Sequence, residues 1–274
     1  SNTQGGSVKK FLLILFSLSL LSLTTISSAK SIRIGTEGAY PPWNNLNSAG
    51  ELEGAEIDFG NEACSRMPVE CEWVTQDWDG IIPALLQGKY DIIIAGMSIT
   101  EERKEKVNFT NGYMTDGARF AVLKGSGLEG LSVDKFTGGI NKVNLNNAGG
   151  KEQAAIGQLI AAMNGSTVCV QSSTIHQNFL DKHMSGAVKV KLYQSVDDHN
   201  LDLAAGRCDA ILADVGSIID FMESDGGVDV AFTGPTFSGG VFGDGVGGAV
   251  RKEDTDILEM WNKAIAEMSA DGTT

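Results

Sequence analysis

The sequence is poor in basic residues and in proline, and each deficit excludes a class of protein. Its 274 residues include 21 Lys and Arg against 35 Asp and Glu, a formal net charge of −14. No nucleic-acid partner is expected, because phosphate recognition needs clustered basic side chains. Five prolines stand against 34 glycines, which indicates many turns without a collagen-like or low-complexity chain. The 42% of hydrophobic residues indicates a globular chain of one or two domains.

Histidine is also scarce, and no cofactor motif is found in a suitable context. His176, His183 and His199 lack the spacing of metal ligands. The segment 243–248 matches GxGxxG, but it does not open a helix after a first strand, as a dinucleotide site requires. Its glycines are interpreted as a crossing of the chain between two parts of the fold. The sequence therefore predicts no metal and no cofactor.

Long hydrophobic runs are absent too. The longest covers residues 11–23, 13 residues that follow Lys9 and Lys10, whereas a membrane-spanning helix needs about 20. Small residues lead from this run to Ala29. We therefore predict a secretory signal peptide over residues 1–29, cleaved after Ala29, which leaves a net charge of −16. An uncleaved membrane anchor is the alternative.

Export decides how the four cysteines are interpreted. Cys64 and Cys71 are separated by six residues, and an oxidising compartment favours a disulfide between them. A zinc site is the alternative, although no second Cys or His pair stands nearby at ligand spacing. Cys169 and Cys208 lie within apolar runs and are expected to be buried small hydrophobic residues.

Short strand-like runs alternate with helical patterns after residue 30, which is typical of an α/β fold. We predict strands at residues 31–35, 69–74, 91–95, 167–170, 188–193, 209–213 and 249–251. We predict helices at 56–66, 79–87, 151–163, 174–184, 196–206 and 217–223, and a last helix with an apolar face at Ile257, Leu258, Trp261, Ile265 and Met268. Asp79 is expected to cap its helix, and residues 125–150 are expected to form a loop.

Seven stretches, found in a fixed order along the chain, carry a family resemblance. They are IGTEGAYPP (34–42), GAEID (54–58), DWDGIIPAL (77–85), MSITEER (97–103), VNFT (107–110), LAAGRCDA (203–210) and VRKED (250–254). Together they resemble periplasmic solute-binding proteins of polar amino-acid ABC transporters, particularly the lysine/arginine/ornithine, histidine and octopine-type branch. The long segment 125–163 is similar to that of the octopine-type members.

The resemblance implies a two-lobed type II periplasmic binding protein, a Venus-flytrap α/β fold with its ligand cleft between the lobes. Lobe 1 would comprise residues 30–113 and 246–274, and lobe 2 residues 114–245. The implied function is capture of a cationic amino acid or an opine such as octopine by a monomer in the periplasm, with delivery to a membrane permease. The alternatives are an enzyme on the same fold, similar to cyclohexadienyl dehydratase, or a periplasmic sensing module. Family members extend past the position of Thr274, so a C-terminal truncation is expected.

The resemblance also implies which residues hold the ligand's α-groups. Burial of an α-carboxylate or α-ammonium without a partner costs several kcal/mol. Arg103 is expected to hold the carboxylate through its planar fork, with Ser98 and the backbone N–H groups of Thr174 and Ile175 as further donors. Asp214 is expected to accept from the ammonium.

The ligand side chain would lie near Tyr40, Trp78 and Glu37, and Gly96 is expected as a further ligand contact. Two aromatic rings can stack on a cationic side chain and a carboxylate can neutralise its end. Glu37 stands where family members that bind basic amino acids have an acidic residue, most often Asp. Ser173 stands in a turn that commonly reads Gln-x-Gly-Thr in the family.

Each of these residues also has an interpretation unrelated to a ligand. Arg103 would be a solvated charge on a helix face, and Asp214 a helix N-cap. Tyr40 and Trp78 would be ordinary core residues, and Glu37 a loop carboxylate. Ser98 or Thr100 would cap the helix that follows them.

Overall fold

A computed structural model of the chain describes residues 30–131 and 139–273. The predicted signal peptide, residues 1–29, lies outside the described residues, as do Thr274 and residues 132–138 of the predicted 125–150 loop. Among the described residues, no helix is both long and apolar enough to cross a membrane.

Strands and helices alternate along the described chain, as the sequence pattern predicts. The strands are β1 (Lys30–Thr36), β2 (Ala39–Tyr40), β3 (Asn44–Leu46), β4 (Leu52–Glu53), β5 (Val69–Thr75), β6 (Ile92–Ile93), β7 (Asn108–Phe109), β8 (Ala118–Leu123), β9 (Lys142–Asn144), β10 (Thr167–Gln171), β11 (Lys189–Tyr193), β12 (Ala210–Asp214), β13 (Val230–Ser238) and β14 (Ala249–Val250). The helices are α1 (Ala55–Ser65), α2 (Ile81–Leu86), α3 (Glu101–Lys104), α4 (Gly150–Met163), α5 (Ile175–His183), α6 (Val196–Ala204), α7 (Val215–Glu223) and α8 (Thr255–Asp271).

A five-stranded sheet has the order β5-β1-β6-β14-β7. β1 pairs in parallel with β5 and β6, whereas β14 is antiparallel to β6 and β7. α8 packs against this sheet, with the fully buried Trp261 in one cluster with Ile32, Ile34 and Ile92. The buried face of α8 contains Trp261 and four of its neighbours at helical spacing, which confirms the predicted apolar face.

A six-stranded sheet has the order β11-β10-β12-β8-β13-β9. β10 pairs in parallel with β11 and β12, and β8 is antiparallel to β12 and β13. Its core contains Phe120, Phe179 and Phe237, all fully buried, with the rings of Phe179 and Phe237 4.9 Å apart. A third, small antiparallel sheet, β2-β3-β4, follows β1.

Two segments connect the large sheets and run side by side. One joins β7 to β8 and the other joins β13 to β14; they meet where the N–H of Val246 donates to the carbonyl of Met114 at 2.8 Å. At Gly243 the backbone has φ +78°, and a Cβ would lie 2.3 Å from the carbonyl oxygen of Ile99. Gly243 thus allows two backbone segments to pack closely. The segment 243–248 leads into β14 and belongs to one of the two connections between the large sheets.

The sequence analysis did not predict seven of the described strands: β2, β3, β4, β7, β8, β9 and β13. β13 and β9 illustrate the reason. β13 is interrupted by Gly234 and Pro235, and its register with β8 shifts between Thr233 and Phe237. β9 lies inside the predicted 125–150 loop and pairs with β13. Neither strand shows uninterrupted alternation of apolar residues, because β13 is irregular and β9 has three residues.

The expected N-cap of α2 is wrong. α2 begins at Ile81, and Gly80, at φ +87°, occupies the cap position without a side-chain cap bond. This left-handed turn separates Asp79 from the first helical N–H groups. Asp79 instead accepts from the hydroxyl of Ser172, which lies 3.0 Å from each carboxylate oxygen.

The interpretation of Cys169 and Cys208 as unpaired hydrophobic residues is also wrong. They are buried, but they form a disulfide with a Cα–Cα distance of 6.0 Å. Cys169 lies in β10 and Cys208 just precedes its parallel neighbour β12, so the pairing depends on sheet order and not on local spacing. The predicted disulfide between Cys64 and Cys71 is present.

Removal of the Cys169–Cys208 disulfide should cost more stability than removal of the Cys64–Cys71 disulfide. The closed rings contain roughly 40 and roughly 8 residues, for which loop-closure entropy gives about 4 and about 2.5 kcal/mol. Urea unfolding of the double Cys→Ala variant at each pair, each serving as the other's matched control, measures the difference. An equal or reversed loss would contradict this explanation.

Candidate functional site

One cavity of about 290 Å³ is lined by residues that follow strands of both large sheets. All nine residues predicted from the sequence to contact a ligand line it: Glu37, Tyr40, Trp78, Gly96, Ser98, Arg103, Thr174, Ile175 and Asp214. The fold therefore brings the whole predicted set to one place.

The carboxyl ends of parallel strands position several of these residues. Glu37 follows β1, Gly96 follows β6, Thr174 follows β10, and Asp214 is the last residue of β12. Loops at the carboxyl edge of parallel strands converge, and α/β proteins bind their ligands there. The α/β topology thus explains why residues far apart in sequence share one cavity.

The guanidinium of Arg103 is half-buried at one side of the cavity. The helix α3 that carries it is capped by Thr100, whose hydroxyl accepts from the Arg103 N–H at 3.2 Å. Nη1 donates to the carbonyl of Ser98 at 2.8 Å, and Cζ lies 5.4 Å from the ring centroid of Trp78. Burial lowers the pKa of Arg103 to about 10, so the group stays cationic at neutral pH. Its side chain is turned into the cavity and is not a fully solvated helix-face charge.

Ser173 joins the two sides of the cavity. Its carbonyl accepts from Nε1 of Trp78 at 3.0 Å and, at a long 3.5 Å, from Nη2 of Arg103. Its φ of +59° lies in the left-handed region, which explains why glycine is favoured in such a turn. Thr174 caps α5 by accepting from the N–H of Gln177. Because Thr174 and Ile175 line the cavity, the N-terminus of α5, whose free N–H groups favour an anion, faces the cavity.

Asp214 caps α7, which the sequence analysis kept as the alternative to a ligand contact. Its Oδ1 accepts from the N–H of Ser217 at 2.9 Å, which caps α7, and from Nε1 of Trp43 at 3.1 Å. Its Oδ2 is buried and has no hydrogen-bond partner among the described residues. Burial raises the pKa of Asp214 to about 7. One oxygen therefore serves the helix, and the other is available to a ligand cation.

Glu37 is 6% exposed and lies opposite Gln171. Nε2 of Gln171 donates to Oε1 of Glu37 at 2.8 Å and also to the carbonyl of Gln194 at 3.0 Å. Burial, together with the negative charges of Asp77, Asp197 and Asp79, raises the pKa of Glu37 to about 8 against the opposing effect of the Gln171 bond. A cation beside Glu37 would favour the ionised carboxylate and so oppose the effects of burial and of the three aspartates on its pKa.

Gly96 is held by the buried Glu56, and Tyr40 packs closely against Gly96. A Cβ on Gly96 would lie 2.8 Å from Cε1 of Tyr40. The N–H of Gly96 donates to Oε2 of Glu56 at 2.7 Å, and the Asn44 side chain and the Tyr113 hydroxyl donate to the same carboxylate. Trp78 is 8% exposed and belongs to a core cluster as well as to the cavity wall. Core packing and cavity lining are thus compatible for Trp78.

The further cavity residues that the sequence analysis missed include Trp43, His176 and His199. Trp43 follows the Pro-Pro pair of the first matching stretch, and its indole bond to Asp214 depends on tertiary structure. The histidines were considered only as metal ligands. Among the described residues, no group of three or more His, Cys, Asp or Glu is placed to hold a metal ion.

Two polar contacts at the rim bridge the same sides of the cavity. Nε2 of Gln194 donates to Oδ2 of Asp77 at 2.6 Å, and Ser172 bonds to Asp79. Asp77 and Asp79 flank Trp78 in the sequence. Asp77, Trp78 and Asp79, three consecutive residues after β5, are therefore hydrogen-bonded to the segments that follow β10 and β11.

Comparison with known proteins identifies related solute-binding proteins both by sequence and by structure. A family model described as "Bacterial extracellular solute-binding proteins, family 3" matches residues 32–274. An L-arginine-binding protein of Pseudomonas aeruginosa is 37% identical over 96% of this chain and 92% of its own length. An octopine-binding periplasmic protein of Rhizobium meliloti is 39% identical over 83% of this chain and 76% of its own length. A periplasmic His/Glu/Gln/Arg/opine family-binding protein from Silicibacter pomeroyi, solved with lysine, is 32% identical with a TM-score of 0.69, covering 88% of this chain and 92% of that one.

The raised pKa values predict that ligand-free stability falls as pH rises. Glu37 and Asp214, with folded pKa values of about 8 and about 7, bind protons more tightly when folded than when unfolded, so their contribution is lost as pH rises through those values. His176 and His199, with pKa values lowered to about 3 and about 4, oppose this trend only below about pH 6.5. The two histidines therefore do not oppose the trend between about pH 6.5 and 8. In this range Glu37 accounts for a loss of unfolding free energy on the order of 1–2 kcal/mol.

Urea unfolding of the ligand-free protein at both ends of this window measures the effect. We expect a smaller loss in Glu37→Gln than in wild type, because the amide cannot titrate. Glu51→Gln, at an exposed glutamate, is the control and should behave as wild type. A loss in Glu37→Gln as large as that in wild type would show that Glu37 does not titrate in this range.

Proposed function

The chain belongs to family 3 of the bacterial extracellular solute-binding proteins, and we propose that it is the substrate-binding component of an ABC importer for a cationic amino acid or an opine such as octopine. It would act in the periplasm after removal of the signal peptide, as a monomer without catalytic activity. The relatives named above are binding proteins for arginine and octopine, which supports this assignment.

The observation that carries the proposal is the set of charges around the cavity. Arg103 is the single Lys or Arg among the described residues that line it, whereas Glu37 and Asp214 are buried carboxyl groups without an ion pair there. The exposed Asp116 and Asp244 also lie at its wall. One cationic and two anionic positions complement a ligand with one carboxylate and two cations. A cationic amino acid has that set of charges.

Each charge has a place in the proposed complex. The α-carboxylate lies between Arg103, Ser98 and the first N–H groups of α5, and the α-ammonium lies at Oδ2 of Asp214. The side chain extends past Tyr40 and Trp78 toward Glu37. The raised pKa values of Glu37 and Asp214 support this placement, because a cation at each site favours the ionised form.

We propose lobe 1 as residues 30–113 and 246–274, and lobe 2 as residues 114–245. The bridge between Met114 and Val246 lies where both boundaries fall. Closure around a ligand would bend the two crossings and form the contacts of Trp43, Trp78 and Gln171 across the cavity. A permease would then receive the ligand from the closed form.

A ligand panel tests the function. We expect arginine, lysine, ornithine, histidine or octopine to raise the apparent melting temperature and to bind in calorimetry, because a ligand that binds only the folded state stabilises it. Glutamine and glutamate serve as neutral and anionic comparisons. Tight binding of glutamate with no response to any cationic ligand would exclude the proposal.

Asp214→Asn separates the ligand role of Asp214 from its role as a cap. Asparagine caps helices as well as aspartate, so we expect thermal stability close to wild type. The loss of a buried charge partner should reduce affinity for the cationic ligand by about 100- to 1,000-fold. Asp220→Asn, the same charge change on α7 outside the cavity lining, is the control. Unchanged affinity in Asp214→Asn would show that Asp214 caps the helix and does not bind the ligand cation.

A further inference from the structure

His199 is a cavity residue to which the proposed function gives no task. It lies in α6, is fully buried and lines the cavity. By geometry neither of its ring nitrogens has a hydrogen-bond partner among the described residues, although the adjacent side chain of Asn200 acts on the ring. Burial of an unpaired polar group is unfavourable, so a partner supplied by a ligand would remove a cost that the folded protein bears.

The helix that carries the ring, α6, begins near Glu37. Gln171 bonds both to Glu37 and to the carbonyl of Gln194, the second residue before α6 begins. The charge of Asp197, in the first turn of α6, acts on Glu37. The first turns of α6 therefore form the wall beside Glu37, and His199 follows on the cavity side of this helix.

Packing fixes the orientation and the charge state of this imidazole. Its ring centroid lies 6.1 Å from that of Tyr193, with the two planes nearly perpendicular at 88°. Burial lowers the pKa of His199 to about 4, so the ring is neutral at neutral pH. The titratable groups that interact with it are Tyr193 and His176. A neutral imidazole has one nitrogen that accepts a hydrogen bond, and it does not repel a neighbouring cation.

We propose that His199 accepts a hydrogen bond from the cationic end of the ligand, beside Glu37, and thereby favours a guanidinium over an ammonium. A guanidinium presents five N–H donors around a rigid plane, and one carboxylate pairs with two of them. A second acceptor at a fixed angle suits another edge of that plane. An ammonium is compact, and its three donors rotate freely, so Glu37 and solvent can satisfy it.

This inference rests on the proposed function, and the experiment separates the two. Arginine and lysine affinities are measured by calorimetry for wild type, His199→Leu, His199→Phe and His199→Gln. In the two apolar variants we expect arginine affinity to fall about 10- to 100-fold and lysine affinity at most about threefold. His199→Gln, which keeps an acceptor, should recover part of the arginine-to-lysine ratio. His183→Leu, at a histidine outside the cavity lining, should keep the wild-type ratio.

The ratio distinguishes a ligand contact from a structural role, because a packing defect would weaken both ligands together. An unchanged ratio in His199→Leu overturns the inference while the wild-type affinities uphold the proposed function. If His199→Leu does not fold, the ratio in His199→Phe, whose ring is similar in shape, decides in the same way. Wild-type protein that binds neither arginine nor lysine refutes this inference, whereas the proposed function is then decided by ornithine, histidine and octopine in the ligand panel.

Discussion

The rest of the molecule depends on one constraint: charged side chains line a single cavity without forming ion pairs with one another. Arg103, Asp214 and Glu37 come from both halves of the chain and meet around about 290 Å³ of space. Removing a charge from water without a partner costs several kcal/mol. The protein limits this cost by holding Glu37 and Asp214 partly protonated near neutral pH, as their raised pKa values of about 8 and about 7 indicate. A ligand of complementary charge would remove the cost.

The same residues couple binding to the arrangement of the two halves. Asp214 accepts from Trp43, Glu37 accepts from Gln171, and Trp78 donates to Ser173. Each of these bonds crosses the cavity. Because a ligand shifts an equilibrium by its differential affinity for the two states, a ligand that contacts these side chains from both halves favours the arrangement in which they meet.

Local patterns sufficed for the α/β alternation and for most helices, since apolar periodicity and caps such as Asp214 are short-range signals. They did not suffice for β13, where Gly234 and Pro235 interrupt the pattern, or for the disulfide between Cys169 and Cys208, which depends on the order of strands in the sheet. Gly80 replaced Asp79 as the α2 cap because a left-handed turn changes which residue can reach the helix.

The candidate site divides in the same way. Motifs pointed to the nine residues that meet at the cavity, and their ligand contacts stay predictions. Trp43 and His199 were missed because each reaches the cavity only through tertiary structure, Trp43 by its bond to Asp214 and His199 from α6. The free oxygen of Asp214 likewise becomes visible only when burial and hydrogen bonds are known together.

Calorimetric titration of the wild-type protein with arginine and with citrulline tests most directly whether charge complementarity governs the cavity. Citrulline keeps the α-groups and nearly the shape of arginine but has a neutral end. If the carboxylate of Glu37 faces a ligand cation, arginine should bind at least about 100-fold more tightly, since breaking a buried charge pair costs about 2–5 kcal/mol. Equal affinities for arginine and citrulline would contradict charge complementarity as the basis of recognition.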